Sequence, residues 1–448
     1  MSTTEVRTKS YNSVQQTGYL ASEMQLSHVY HTMVSALLLF LLASLLIDAS
    51  SPTPNYNSGS STLVGGIGAR TSNGTSADKS YSALLSDFDD WIQAGLEQSS
   101  YLYMNKSLAS EIIVGTGEKY ESIQDALEAG YSCVFLRKQR FNVTAPIKPP
   151  KEDFYIMGNG AEIYAVASVS AIFDIRSIRY AHLDGLFING NGLAQKCIDA
   201  SRIPSQVPVH QIRNCKVWGA KSANIDFTGC EDSLIFNCWI DGRKINDTPN
   251  ATTDYGVQIG EFGSGCRTSG QINMIHCLMS FHRRADVFAS NVAQLKLANC
   301  LLASKTSWSM EFEAHVIVEG GAGENPIQPI LELADCWMEN GPDGNVPNIL
   351  IRNRKISKLT IVGGIFYTDQ SPNVYSQLNP CAETITVIGA LFEHNSKCKS
   401  FNLIAPTQKL VSIGNTYNWH GIDKTNVTAY LIFDRDSAEL ETNTVPNR

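Results

Sequence analysis

The chain has 448 residues, 33 glycines, 11 cysteines and a formal net charge of −8. A hydrophobic share of 43% excludes a disordered or collagen-like chain. The acidic balance excludes general nucleic-acid binding, which needs cations to displace the counterions of phosphates.

Residues 1–28 are polar. From Val29 to Ile47 the chain carries no Lys, Arg, Asp or Glu, and its centre reads ALLLFLLASLL. A span needs about 20 apolar residues and a signal-peptide core about 7–15, so segment 29–48 sits at the boundary. The long polar leader and the lack of a basic flank favour a retained transmembrane signal-anchor. The small-residue run Ala49-Ser50-Ser51 leaves cleavage open, and the absence of an amphipathic stripe disfavours a buried soluble helix.

Residues 49–79 form a flexible Ser/Gly/Pro linker that cannot bury enough apolar surface to fold. In the lead-in 80–110, Leu84, Leu85, Phe88, Trp91, Ile92 and Leu96 fall at helical spacing. Six Asn-x-Ser/Thr triplets, at Asn73, Asn105, Asn142, Asn246, Asn250 and Asn426, all lie on the C-terminal side of the apolar run. That one-sided placement agrees with residues 50–448 being extracellular, lumenal or on a virion surface, where such sites are glycosylated.

Residues 111–435 carry a repeated cassette: an apolar stretch, Asn-Cys or a small equivalent, then a second apolar stretch. It reads HQIRNCKVWG at Cys215, LIFNCWIDG at Cys238, NMIHCLMSF at Cys277, LKLANCLLAS at Cys300 and LELADCWMEN at Cys336. Later copies place Gly364, Ala390 and Asn415 at the cysteine position. The two longest gaps hold the insertions RKINDTPNATTDYG and EGGAGENPIQP. Short strands separated by Asn, Asp and Gly corners fit the coils of a parallel β-helix better than leucine-rich or helical repeats. Asn214, Asn237 and Asn299, with Asp335 substituting, would stack in one column of left-handed corners. The cysteines of the cassette would form a buried thiol stack, leaving Cys230, Cys266, Cys381 and Cys398 as disulfide candidates. Residues 436–448 form a polar tail.

The stretch GTGEKYESIQDALEAGYSCVFLRKQRFNVTAPIKPPKEDFYIMGNGAEI (115–163) resembles the opening of pectin/pectate-lyase-like right-handed β-helix proteins: a small SIQ-x-A-L capping helix, a VFL strand and a Gly-x-Gly turn. The resemblance implies an all-β fold, a right-handed single-stranded parallel β-helix of about ten coils. It leaves function open, because the superfamily holds lyases, hydrolases, esterases, viral tailspikes and non-catalytic surface proteins.

The family's catalytic signatures are incomplete. Trp419-His420-Gly421 and Arg352-Asn353-Arg354-Lys355 do not match the polygalacturonase pattern, and Trp239-Ile240-Asp241-Gly242 lacks the histidine of pectate lyases. Glu231-Asp232-Ser233-Leu234 and Asp286-Val287-Phe288-Ala289-Ser290-Asn291 echo the pectin esterases, which makes Asp232 and Asp286 the catalytic candidates. His276 and His282 lack the further clustered ligand a metal needs, so neither a metal nor a cofactor is expected. The basic run 352–358 is either a solvated strand edge or an anion contact.

Strand alternation carries the remaining signal. If the cysteines point inward, then Lys216, Trp239, Leu278, Leu301, Trp337, Ile365 and Leu391 form one outward row, and Trp218, Asp241, Ser280, Ala303, Glu339, Tyr367 and Glu393 form the next. The first row is too apolar to stand bare on a soluble monomer. A helix, an inserted loop, the sister subunits of a homotrimer, or a glycan stacked on Trp239 and Trp337 would cover it. The expected function is a membrane-anchored structural or attachment protein on a cell or virion surface. The alternative is a carbohydrate-active lyase, hydrolase or esterase.

Overall fold

The computed structural model describes residues 111–150, 152–202, 208–243, 252–260, 268–304, 309–321, 326–340, 346–369, 371–378, 381–394, 400–403, 409–419 and 439–441. The expected anchor 29–48, linker 49–79, lead-in 80–110 and most of the tail lie outside these residues. Among the described residues no helix is long and apolar enough to cross a membrane.

All named strand pairings are parallel, and they run along three faces. The first face climbs from Glu111–Val114 through Ser233–Phe236 and Val292–Ala298 to Lys409–Ile413 and Glu439–Glu441. The second includes Lys216–Trp218, Trp239–Asp241, Leu278–Ser280, Leu301–Leu302, Trp337–Asn340, Ile365–Thr368 and Leu391–His394. The third holds nine strands, from Val169–Asp174 to Phe401–Leu403. Among the described residues nine coils therefore have a strand on every face, with partial coils beside them, close to the ten expected. The fold is the all-β parallel β-helix.

Inward columns fill the bore. Ile212, Ile235, Met274, Leu297, Leu333, Ile361 and Val387 stack rung on rung along the first face. Each is at most 1% exposed, so each coil contributes a near-complete side-chain burial to a single continuous core. Near one end, Phe392 stacks between Phe366 and Tyr417, with ring centroids 5.2 and 5.3 Å away. At the other, the short helix Ile123–Glu128 is capped by Ser122 Oγ, which accepts from the Asp125 N–H, and it buries Ile123, Ala126 and Leu127. This is the capping helix expected from its sequence.

The corner between the first and second faces explains the Asn-Cys cassette. Asn214, Asn237, His276, Asn299 and Asp335 all have positive φ, between 47° and 55°, and Gly363, Gly389 and Gly414 continue the series at 63–64°. Left-handed backbone costs an ordinary L-residue about 1–2 kcal/mol, which selects Asn, Asp and Gly here. The conformation turns each corner N–H toward the next coil: Asn214 donates to the Phe236 carbonyl, Asn237 to Ile275 and Asn299 to Ala334, each at 2.9 Å. Hydrogen bonding thus continues through the bend, and the first two faces join as one 22-stranded sheet. His276 occupies a corner position in this series, which accounts for its place in the sequence without a metal.

The next residue in each cassette points inward. Cys215, Cys238, Cys277, Cys300 and Cys336 are free, buried thiols. Each donates toward a carbonyl of the preceding coil, as Cys238 Sγ does to Ile212 O at 3.5 Å. Burial pushes the Cys238, Cys300 and Cys336 thiols well above their ordinary range. Two disulfide candidates are corrected. Cys230 and Cys381 are also free and buried, and Cys230 Sγ donates to Ala200 O at 3.2 Å. Both are core residues on other parts of the coil. Cys266 and Cys398 lie outside the described residues.

Candidate binding surface

The outward row of the second face is present as the alternation requires. Register pairs Phe187 with Lys216, Lys216 with Trp239, Trp239 with Leu278, Leu278 with Leu301, Leu301 with Trp337, Trp337 with Ile365, and Ile365 with Leu391. Its aromatic members stand out from the surface: Phe187 is 42% exposed, Trp239 39% and Trp337 49%. Three rungs separate the two tryptophans, about 14 Å at the usual strand spacing. The second outward row is less accessible than expected. Trp218, Asp241 and Ser280 are nearly buried, and Asp241 receives Arg243 in an ion pair of 2.7 Å. Arg243 Cζ also lies over the Phe281 ring, 3.5 Å from its centre.

Cations sit among these rings. Lys216 Nζ is 3.7 Å from the centre of the Trp239 ring and 5.1 Å from that of Trp218. Across the same corner, Arg213 stacks on Phe236, which is its register partner, at 5.2 Å. Between them runs an exposed amide ladder in which Asn237 Nδ2 donates to Asn214 Oδ1 at 2.8 Å and Asn214 Nδ2 to Asp184 Oδ1 at 2.9 Å. The result is a two-column array spanning three coils: Asp184 and Phe187, then Arg213 and Lys216, then Phe236 and Trp239. A flat indole with a cation above it and amide groups beside it offers a sugar ring a stacking platform and hydrogen-bonding partners. Sequence reading singled out Trp239 and Trp337, placed Lys216 in the same outward row without a role, and missed Arg213. Their signal was the spacing within RNCKVWG, where Arg213 and Lys216 flank one corner.

The acids do not form this site. Asp232 is exposed at a corner with φ of 39°, directly before Ser233–Phe236. Asp286 lies on the third face and is completely buried. Its Oδ1 meets His282 Nδ1 at 2.6 Å and accepts from Ser304 Oγ at 2.5 Å, while its Oδ2 meets His315 Nδ1 at 2.6 Å. Burial alone would raise this carboxyl, but the bonds from His282 and His315 outweigh it and hold it well below the usual carboxylate range. Gly256 stands beside this cluster because a Cβ there would come within 2.7 Å of the His282 ring and 2.5 Å of the Asp286 carbonyl oxygen. A polymer substrate has no route to an acid in this position, which serves the core.

A second set of acids was not anticipated. Asp174, Asp199 and Asp226 pair rung to rung on the outer side of the third face. Neighbouring strands place their backbones about 4.8 Å apart, near the roughly 5–5.5 Å separation of retaining glycosidase carboxylates. Each, however, is held by a fixed partner. Arg176 clamps Asp174 through two bonds of 2.8 Å. Lys196 Nζ lies 2.6 Å from Asp226 and 3.2 Å from Asp199, and Ser201 and Thr228 donate to the same two acids. Despite burial, Arg176 and Lys148 hold Asp174 below its ordinary value, whereas a general acid needs the opposite shift. The sequence signal was a recurring Asp-x-Arg/Ser/Thr at positions 174, 199 and 226, which marks a side-chain turn rather than chemistry.

The basic run 352–358 is also neutralised: Arg352 pairs with Glu319 and Glu313, Lys355 with Glu383, and Arg354 donates to the Gly321 carbonyl. Of the six glycosylation triplets, Asn142 lies in a second-face strand with its side chain exposed. Asn73, Asn105, Asn246, Asn250 and Asn426 lie outside the described residues. Among the described residues no cluster of His, Cys, Asp and Glu could hold a metal.

No protein-family model matches the chain, and no curated protein matches it. Solved structures do. ORF18 of Geobacillus virus E2 aligns with 72% of this chain at 12% identity and a TM-score of 0.47, and the chain spans 63% of that protein's length. The pectin methylesterase of Aspergillus niger aligns over 74% of this chain and 89% of its own, at 10% identity and a TM-score of 0.27. The A-module of the Azotobacter vinelandii mannuronan C-5 epimerase AlgE4 aligns over 67% and 94%, at 11% and 0.30. At these identities and scores the likeness adds nothing to the parallel β-helix, which stands on the strand register of this chain itself.

Proposed function

We propose that this chain is a non-catalytic attachment protein, displayed on a cell or virion surface by the segment 29–48, whose second face binds glycans. The observation that carries this reading is the half-exposed Trp239 ring capped by Lys216 Nζ at 3.7 Å, in a column that also exposes Phe187 and Trp337. Sugar rings present apolar C–H faces that stack on indole, and the flanking amides of Asn214 and Asn237 can meet their hydroxyls. Two platforms on one straight column favour an extended oligosaccharide over a single sugar. The acids favour no reaction: Asp286 is enclosed, and Asp174, Asp199 and Asp226 are neutralised by Arg176 and Lys196.

The test is binding of the full chain, solubilised in detergent, to an oligosaccharide array, beside Trp239→Ala and Trp337→Ala. The reading expects saturable binding that falls at least about tenfold in Trp239→Ala. Binding unchanged by both substitutions, or turnover of any bound oligosaccharide, would overturn it.

One observation favours a second occupant for part of the column. Leu278, Leu301, Ile365 and Leu391 are aliphatic and half-buried, a composition suited to the sister subunits of a homotrimer. Sedimentation of the same preparation separates the two, since a monomer leaves the whole column to ligand.

A further inference from the structure

A column of buried polar groups lines the corner where the second face passes into the third. Asp286, His315, Asn348, Asn373 and Ser400 each stand directly before Val287, Val316, Ile349, Val374 and Phe401, which pair rung to rung. Ser304, Thr368 and His394 meet this column from the second-face side, and all eight polar residues are completely buried. In the middle coils His282 and His315 share the Asp286 carboxylate, so a positive imidazole there would stand against an acid. In the last coils His394 meets neutral groups: Thr368 Oγ1 lies 2.9 Å from Nδ1, while Asn373 Nδ2 and Ser400 Oγ lie 3.1 and 2.8 Å from Nε2.

Two backbone carbonyls fix the direction of these bonds. The Asn348 NH2 donates to the Tyr367 carbonyl at 3.2 Å, so that same group is the donor to Asn373 Oδ1 at 2.6 Å. Asn373 therefore presents its own NH2 to His394 Nε2, which accepts. On the other side the Thr368 hydroxyl gives its one proton to the Ser371 carbonyl at 2.6 Å, so Thr368 Oγ1 accepts and His394 Nδ1 carries the hydrogen. A proton at Nε2 would turn this acceptor into a donor. The Ser400 hydroxyl can rotate to accept it, but Asn373 cannot adjust. Turning its amide sets NH2 against the Asn348 NH2, and turning Asn348 as well sets an oxygen against the Tyr367 carbonyl. No arrangement of the three side chains satisfies every group.

We infer that this corner is an acid-operated latch: a proton taken up at His394 releases the coils carrying Val374–Ser376 and Phe401–Leu403 from the second face, while the coils around Asp286 stay closed. The inference stands apart from glycan binding. Burial pulls the His394 imidazole down to about 3, in line with its place in the network. Among the titratable groups of the strands packed around it, Tyr417 stacks on Phe392 with its hydroxyl 3.4 Å from Ser412 Oγ, and Asp369 follows Thr368 in the chain. Tyr367, Tyr375 and Glu393 take the outward, partly exposed positions of their strands. An unfolded histidine titrates near about 6.5, so the contribution of neutral His394 is fully present above that value and is lost as pH falls from there toward 3. Phe401–Leu403 is the last third-face strand among the described residues, and stacked coils open locally where their own contacts weaken.

The experiment is hydrogen–deuterium exchange of the detergent-solubilised full chain, read by mass spectrometry between about pH 7 and pH 4.5 and normalised to the intrinsic exchange rate at each pH. Opening of Val374–Ser376 and Phe401–Leu403 is expected to grow by up to about tenfold per pH unit below about 6.5, or about a hundredfold by pH 4.5. Ala285–Ser290 and Ala314–Glu319 should change by less than about threefold over the same range. His394→Gln removes the titrating group and flattens the slope at the C-terminal strands. Asn373→Asp also flattens it, because an acceptor oxygen then faces Nε2 while the other oxygen still receives the Asn348 NH2. The two variants act on different side chains, so either one decides the question if the other fails to fold at pH 7. His210 is likewise buried and lowered to about 3, and any acid effect it exerts persists unchanged in both variants. Protection of the C-terminal strands that is independent of pH, loss of protection in all strands together, or a slope that survives in a folded variant overturns the inference.

Discussion

The enclosed Asp286 gives the sharpest test of how this rod is held together. Asp286→Asn preserves shape but replaces two acceptor oxygens with one oxygen and one NH2 group. His282 and His315, each 2.6 Å from a different carboxylate oxygen, then have one acceptor oxygen between them, so one ring must either face an N–H or give up its tautomer. Hydrogen bonds to a charged group contribute about 1.5–3 kcal/mol each, and removing one partner of a buried pair costs about 3–5 kcal/mol. We expect Asp286→Asn to lose about 3–5 kcal/mol, a large share of the about 5–15 kcal/mol that holds a typical domain. Urea titration of the full chain followed by far-UV circular dichroism at pH 7 reads this as a lowered midpoint. The pH dependence gives an independent check. The folded-state carboxyl lies below its ordinary value, so its contribution is fully present above the unfolded-state value of about 4 and is lost as pH falls toward the folded value. The native chain should therefore lose stability below about pH 4 more steeply than Asp286→Asn. A variant within about 0.5 kcal/mol of the native chain, with the same acid slope, would refute this account of the cluster.

Two further outcomes follow from the coil. Cys238, Cys300 and Cys336, buried and with raised thiols, should resist iodoacetamide in the folded chain and react fully in denaturant, as mass spectrometry of the tryptic peptides would show; labelling of native protein would contradict the stack. Asn299→Ala, at a φ of 51°, should cost about 1–2 kcal/mol in the same urea titration, while Asn299→Gly should cost less; equal losses would show that the corner does not depend on left-handed backbone.

The architecture was legible because it depends on local rules repeated many times. The Asn-Cys cassette marks one corner in five coils, and its alternation fixed which side of the second face is outward for Trp239, Leu278 and Trp337. Phase on the third face was harder to obtain, since no cassette marks it. Asp174, Asp199 and Asp226 recur there without a shared neighbour beyond a turn-forming Arg, Ser or Thr. Asp286 shows a different limit. Its motif resembled a catalytic one, but burial by His282, Ser304 and His315 depends on residues up to 29 positions away and on Gly256 from the preceding coil. Arg213 was missed, and Lys216 was placed in the outward row without a role, because the stacking of each on Phe236 or Trp239 is a property of adjacent coils rather than of one.

The continuity of hydrogen bonding through the Asn corners makes every coil interchangeable in its mode of stacking. Distance along the second face is consequently quantised: Trp239 and Trp337 stand a whole number of strands apart, and gain or loss of one coil would move them by about 4.8 Å while keeping them on the same line. A lineage of such β-helices could retune the reach between the two exposed indoles by duplicating or deleting a single repeat. Neither platform would need to change, nor would the corner that aims it. The Asn turn thus makes spacing a heritable variable that can be adjusted independently of chemistry.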